Sequence, residues 1–119
     1  MTPNNSPMAV VETETFLASA ARLRMSEKER TALIIYLASN PAVGKVIPET
    51  GGLRKLRWAI PGRGKSGGAR VIYYYHNESI PLYALDIYAK NQKTNLSAAE
   101  KNAARKTIAA IKHEHGRRK

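Results

Sequence analysis

Residues 51–75, GGLRKLRWAIPGRGKSGGARVIYYY, decide the fold. Leu56, Trp58 and Ile60 alternate with Lys55, Arg57 and Ala59, a period of two that predicts a strand with one apolar and one basic face. Pro61 and four glycines within 61–68 interrupt the pattern with a flexible loop that carries Arg63 and Lys65. Residues 69–75, ARVIYYY, then resume as a second strand rich in β-branched and aromatic side chains. Together they read as an antiparallel hairpin with a basic loop.

Working outward toward the C-terminus, Asn77 to Ser79 makes a turn and residues 80–89, IPLYALDIYA, form a third antiparallel strand. Ser97 with Glu100 is a capping-box pair opening a terminal helix of about 15 residues, with Ala104, Ile108 and Ile111 as its modest apolar stripe. Toward the N-terminus, Ser26 with Glu29 caps another helix, where Leu33, Tyr36 and Leu37 fall at helical spacing beside Ile34 and Ile35. Asn40-Pro41 ends that helix, because proline disfavours helical geometry in the residue before it. Residues 15–24, TFLASAARLR, have the composition of a helix, and the adjacent valines within 8–12 can add a short strand. The expectation is an α+β domain: two N-terminal helices, a small antiparallel sheet of three to four strands and a C-terminal helix. Residues 1–7 are expected to be a flexible arm, 8–115 a single domain and 116–119 a basic tail. No internal repeat is visible.

The chain's 119 residues suffice for one core and so for one site. Twenty Lys and Arg against nine Asp and Glu leave a formal charge of +11, which repels itself in a compact state unless a polyanion neutralises it. Nucleic acid is the expected partner. The chain has no cysteine, which excludes disulfides, thiolate metal sites and a thiol nucleophile. No stretch approaches the roughly 18 continuous apolar residues of a membrane span, and the first residues do not resemble a signal peptide, so a cytoplasmic protein without a membrane partner is expected.

Several constellations invite chemistry. Residues 59–66, AIPGRGKS, fit a relaxed phosphate-loop pattern, but that loop works by pointing the amides of a following helix at phosphate, and here Gly67, Gly68 and a strand follow. The same amides with Arg63 and Lys65 can still hold the phosphates of a nucleic acid. His113 and His115 lie two apart on a helix and point in different directions, which suits a solvated helix end better than a metal site. His76 sits at a turn with no serine or aspartate at a defined spacing, and reads as structural or surface. Asp86 lies among apolar residues, where a paired structural carboxylate is at least as well supported as a general base. Tyr73 and Tyr75 share strand parity with Val71 and read as core, while Tyr88 is open between core and base stacking. No metal site or cofactor is expected.

The basic cluster is the most informative. Lys55 and Arg57 share one face of the first hairpin strand, Arg70 opens the second, and Lys90 leaves the third, so an antiparallel sheet can gather them on one patch. RNA can be cut when its own 2′-hydroxyl attacks the adjacent phosphate, given an in-line nucleotide, cationic donors on the phosphate oxygens and groups to move two protons. On the residues alone, such a site and a purely electrostatic footprint stand level.

Residues 51–75, followed by LDIYAKNQKTNLS at 85–97, resemble the RelE/HigB superfamily of toxin–antitoxin toxins, and its HigB-like branch in particular. The specific features are Gly-Gly-Leu-Arg-Lys at the strand start, the Gly-Arg and Gly-Lys loop ahead of Gly-Gly-Ala-Arg, and Tyr-Ala-Lys-Asn before the terminal helix. The resemblance implies a sheet packed on helices with an active surface on its open face, and cleavage of mRNA in the decoding site of the ribosome's small subunit. The products would end in a 2′,3′-cyclic phosphate formed without a metal. It implies that Lys55 and Arg57 orient and activate the nucleotide and that Arg70 stabilises the transition-state phosphate, with Lys90 as a further basic residue of the site. Arg54, Arg63, Lys65, Tyr88, Asn91 and Lys93 complete the expected RNA-binding surface. Two features depart from the RelE branch: Asn91 stands where that branch has an arginine, and Leu96 and Ser97 stand where it has a tyrosine. A cognate antitoxin, of the helix-turn-helix DNA-binding kind, is implied as protein partner. The alternative is a non-catalytic basic module that binds RNA or the ribosome.

Overall fold

A computed structural model of the chain describes residues 7–60, 68–92 and 95–116. The elements run β1 (Val10–Glu12), α1 (Glu14–Arg22), α2 (Glu27–Ser39), β2 (Lys45–Val46), β3 (Leu53–Trp58), β4 (Ala69–Tyr74), β5 (Leu82–Ala89) and α3 (Ala98–Gly116). The α+β class holds, with two corrections. Among the described residues the sheet has five strands, ordered β1-β5-β4-β3-β2, and it is mixed, because β1 runs parallel to β5 while the other pairs are antiparallel. Strand β2 is two residues long, too short for a period of two to register in the sequence. Helix α3 runs through Gly116, one residue into the stretch expected to be tail.

The helix starts are made by the residues that the sequence marks. Ser26 and Glu29 exchange both capping-box hydrogen bonds at 3.0 and 2.8 Å, and Ser97 and Glu100 do so at 3.1 and 2.8 Å. Thr13 caps α1 by accepting from Phe16 N, while its own hydroxyl donates to Ala84 O at 3.0 Å, which ties the helix start to β5.

Both faces of the sheet are covered. Phe16 of α1 and Leu33 and Leu37 of α2 pack, fully buried, on Val71, Tyr73, Leu82 and Ala84. On the other face Ile108 and Ile111 of α3 cover Leu53, Ile72, Tyr74 and Tyr88. Beyond Arg70, strand β4 is thus buried on both sides, which is why residues 71–74, VIYY, read as a continuous apolar run rather than an alternation. Helix α3 occupies the part of this face over Tyr74 and Leu53, and the end of the sheet at Arg57 and Arg70 borders an open cleft. Among the described residues no helix is long and apolar enough to cross a membrane.

Candidate nucleic-acid interface

The alternation in β3 sorts its cations onto two faces. Leu56 and Trp58 turn toward α1 and α2, and Arg54 shares their parity. Lys55 and Arg57 turn the other way, with Leu53. Register then builds rows across the sheet: Arg57 pairs with Arg70 and Arg70 with Tyr88, while one step along, Lys55 pairs with Ile72 on one side and Lys45 on the other. Lys45, Lys55, Arg57 and Arg70, with Val43, Leu56 and Asn95, line one open cleft of about 810 Å³. No carboxylate is among the described residues that line it.

Two guanidinium groups directly opposed on neighbouring strands repel each other by roughly 0.2–1 kcal/mol, so this arrangement is unfavourable without an anion between them. Arginine's fixed fork of donors suits the oxygens of a phosphate bidentately, and lysine adds mobile point charges. The cleft can therefore hold phosphate oxygens from several directions.

Of the residues expected at the site, Lys55, Arg57 and Arg70 meet in the cleft. Lys90 is exposed just past β5, where its backbone N–H donates to Gly68 O at 3.0 Å and extends the ladder past Arg70 and Tyr88, but it is not among the residues that line the cleft. Asn91 is exposed in the following turn and does not line the cleft. Tyr88 lies next to Arg70, but at 6% exposure its ring is packed in the α3-side core and offers little surface to a base. Arg54 is spent elsewhere: its guanidinium donates to Gly44 O at 2.7 Å and Ala42 O at 3.2 Å and lies over the Tyr75 ring. Arg63, Lys65 and Lys93 lie outside the described residues.

Asp86, His115 and His76 have structural partners. Asp86 accepts from Ser19 Oγ at 2.6 Å and from Ile87 N at 2.8 Å. His115 shares a 3.0 Å hydrogen bond with the Tyr83 hydroxyl, and His76 stacks on Tyr74. Ser97 is engaged as the α3 cap, and Leu96 packs against the α3-side core.

Sequence reasoning missed Lys45 and Asn95. Lys45 carries no signal of its own, since only the register of a two-residue strand brings it opposite Lys55. The clue nearby is Gly44, where an added Cβ would stand 2.8 Å from the Tyr73 ring and hydroxyl. The Tyr73 hydroxyl accepts from Gly44 N at 2.7 Å and donates to Pro41 O at 2.9 Å, which fixes the segment leading into β2.

Residues 10–117 match the family described as the RelE toxin of the RelE/RelB toxin–antitoxin system. A solved structure of a doubly substituted mutant of E. coli toxin RelE in the free state is similar to this chain, with a TM-score of 0.50 and 12% identity, over 87% of this chain and 98% of that one. At that identity the likeness speaks for the fold.

Proposed function

Because the chain belongs to the RelE toxin family, we propose that it acts as a ribosome-dependent endoribonuclease, cutting mRNA in the decoding site and so halting translation. The supporting observation is the direct opposition of Arg57 and Arg70, with Lys55 one step along on the same face of a cleft whose described lining holds no carboxylate. In this reading the two guanidinium groups bind the non-bridging oxygens of the scissile phosphate and offset the charge that grows there in the transition state. The 2′-oxygen forms its bond to phosphorus as the bond to the 5′-oxygen breaks, leaving a 2′,3′-cyclic phosphate and a 5′-hydroxyl. One proton leaves the 2′-hydroxyl and one reaches the departing oxygen. Arginine stays protonated, so the two guanidinium groups supply charge and hydrogen-bond donors rather than a proton acceptor.

Ribosomes supply the substrate in the cytoplasm, and a cognate antitoxin, of the helix-turn-helix type that also represses its operon, is the protein partner. The loop letters and Tyr-Ala-Lys-Asn group the chain with the HigB-like branch. A second reading, a non-catalytic RNA- or ribosome-binding module, is favoured by Leu96 and Ser97, whose packing and capping duties leave no side chain there to move a proton.

Purified protein added to ribosomes stalled on a defined mRNA, beside naked mRNA and with chelator throughout, separates the two. Cuts within the decoding site ending in cyclic phosphate, seen only with ribosomes, are expected. Intact mRNA with retained ribosome binding establishes the binding module instead.

A further inference from the structure

We propose that Lys45 and Lys55 together form a subsite for a phosphate next to the scissile one, so that the cleft grips two successive phosphates of a single RNA strand. This rests on the reading of the cleft as an RNA site and extends it to a residue and a contact outside the cleavage chemistry.

Lys45 lies directly opposite Lys55 in the β2–β3 ladder, so the two side chains share a face, and both line the cleft. Opposed like charges weaken a ladder, and β2, two residues long at the edge of the sheet, has few backbone bonds to offset that repulsion. Its position is nonetheless tightly built. Tyr73 holds Gly44 N and Pro41 O, Arg54 holds Gly44 O and Ala42 O, and Ile47 N donates to Leu53 O at 2.7 Å beyond the strand. These bonds flank Lys45 on both sides and leave its side chain to the cleft. The place is occupied by a lysine whose like-charged neighbour is stabilised once an anion sits between the two.

Row spacing says which anion. The Lys45–Lys55 row and the Arg57–Arg70 row are two residues apart along β3, a separation of about 6.7 Å for an extended strand. That is commensurate with successive phosphates on an extended single strand, one to each row. With Arg57 and Arg70 on the scissile phosphate, the Lys45–Lys55 row meets one of its two neighbours. Lysine's compact ammonium suits a phosphate that needs only to be held.

Binding of the full chain to ribosomes stalled on mRNA tests this, with a 2′-deoxynucleotide before the scissile phosphate so that the strand cannot be cut. The dissociation constant is measured for wild type and Lys45→Ala on three mRNAs: one unmodified elsewhere, and two with a neutral methylphosphonate at one or the other phosphate flanking the scissile position. Loss of one charge-assisted phosphate contact is expected to weaken binding about ten-fold. Lys45→Ala and the methylphosphonate at one flanking position should each cause that loss, and the two combined should be no weaker than either alone. Lys45→Arg should restore binding, and on cleavable mRNA the Lys45→Ala loss should fall on KM rather than kcat. No loss from Lys45→Ala, or additive losses at both flanking positions, overturns the subsite. Wild type that binds without cutting cleavable mRNA overturns the nuclease reading alone, and wild type that does not bind programmed ribosomes overturns both.

Discussion

The buried Tyr73 hydroxyl accepts the backbone N–H of Gly44 at 2.7 Å, so that a side chain from the middle of the sheet sets the position of the segment that delivers Lys45 to the cleft. Tyr73 is also the register partner of Arg54, whose guanidinium holds the carbonyl of the same glycine. A core residue and a cation on the core side of β3 thus build the cleft without lining it.

Replacing Tyr73 by Phe removes the acceptor for Gly44 N and the donor for Pro41 O while keeping the ring. A loss of about 1–3 kcal/mol in urea unfolding is expected, because buried backbone groups lose their partners. Unchanged stability would show that the clamp does not hold the segment.

Its neighbour responds with the opposite sign. The Tyr74 hydroxyl is buried with no hydrogen-bond partner among the described residues, and burial raises its pKa above the ordinary 10.0. Tyr74→Phe is therefore expected to be neutral or to stabilise by up to about 1 kcal/mol, since an unsatisfied polar group is removed and the shape kept. A clear destabilisation in the same urea series contradicts this.

Alkaline stability follows from the same pair. Burial is the main cause raising the Tyr73 pKa too, opposed by the Gly44 hydrogen bond and the Arg54 charge. Both tyrosines therefore hold their protons more tightly folded than unfolded, so their contribution is complete below about pH 10 and is lost as pH rises through their raised folded values. Thermal melts across this range should show a steeper fall for wild type than for Tyr74→Phe; parallel curves contradict the assignment.

Two arginines three residues apart should separate cleanly. Arg57→Ala is expected to leave stability within about 0.5 kcal/mol and to lower the salt slope of RNA binding by about 0.7, the value for one phosphate of a single strand. Arg54→Ala should do the reverse, losing stability with the Ala42 and Gly44 hydrogen bonds and keeping the slope. Equal effects on both quantities would refute the two-face division of β3.

Arg70→Ala is the decisive variant for chemistry. Removal of a transition-state donor costs on the order of 100- to 1,000-fold in kcat, so cleavage in the stalled-ribosome assay should vanish while binding falls modestly. A loss confined to binding, in line with one phosphate contact, moves the protein to the non-catalytic class.

Much of this was legible in the residues. The period of two in 55–60, the capping boxes at Ser26 and Ser97 and the break at Pro41 identify elements because they act locally, and the structure bears them out. The assignment of Lys55, Arg57 and Arg70 to one patch followed from strand parity plus one hairpin. Tyr73 was readable as core from its parity with Val71, whereas Tyr74 was not, because its burial depends on α3 lying across the second face. Arg54 looked like its neighbours in composition, and only the segment 41–44 folded beneath it shows where its donors go.

The sequence by itself determined the charge, the element types and the alternating faces, all set by side-chain chemistry and short-range periodicity. Tertiary structure alone decided that β1 joins the sheet in parallel, that α3 covers the part of the second face over Leu53 and Tyr74, and that Lys45 stands opposite Lys55. Those outcomes depend on register and packing between segments far apart in the chain, where a two-residue strand and a glycine with no room for a Cβ leave almost no local mark.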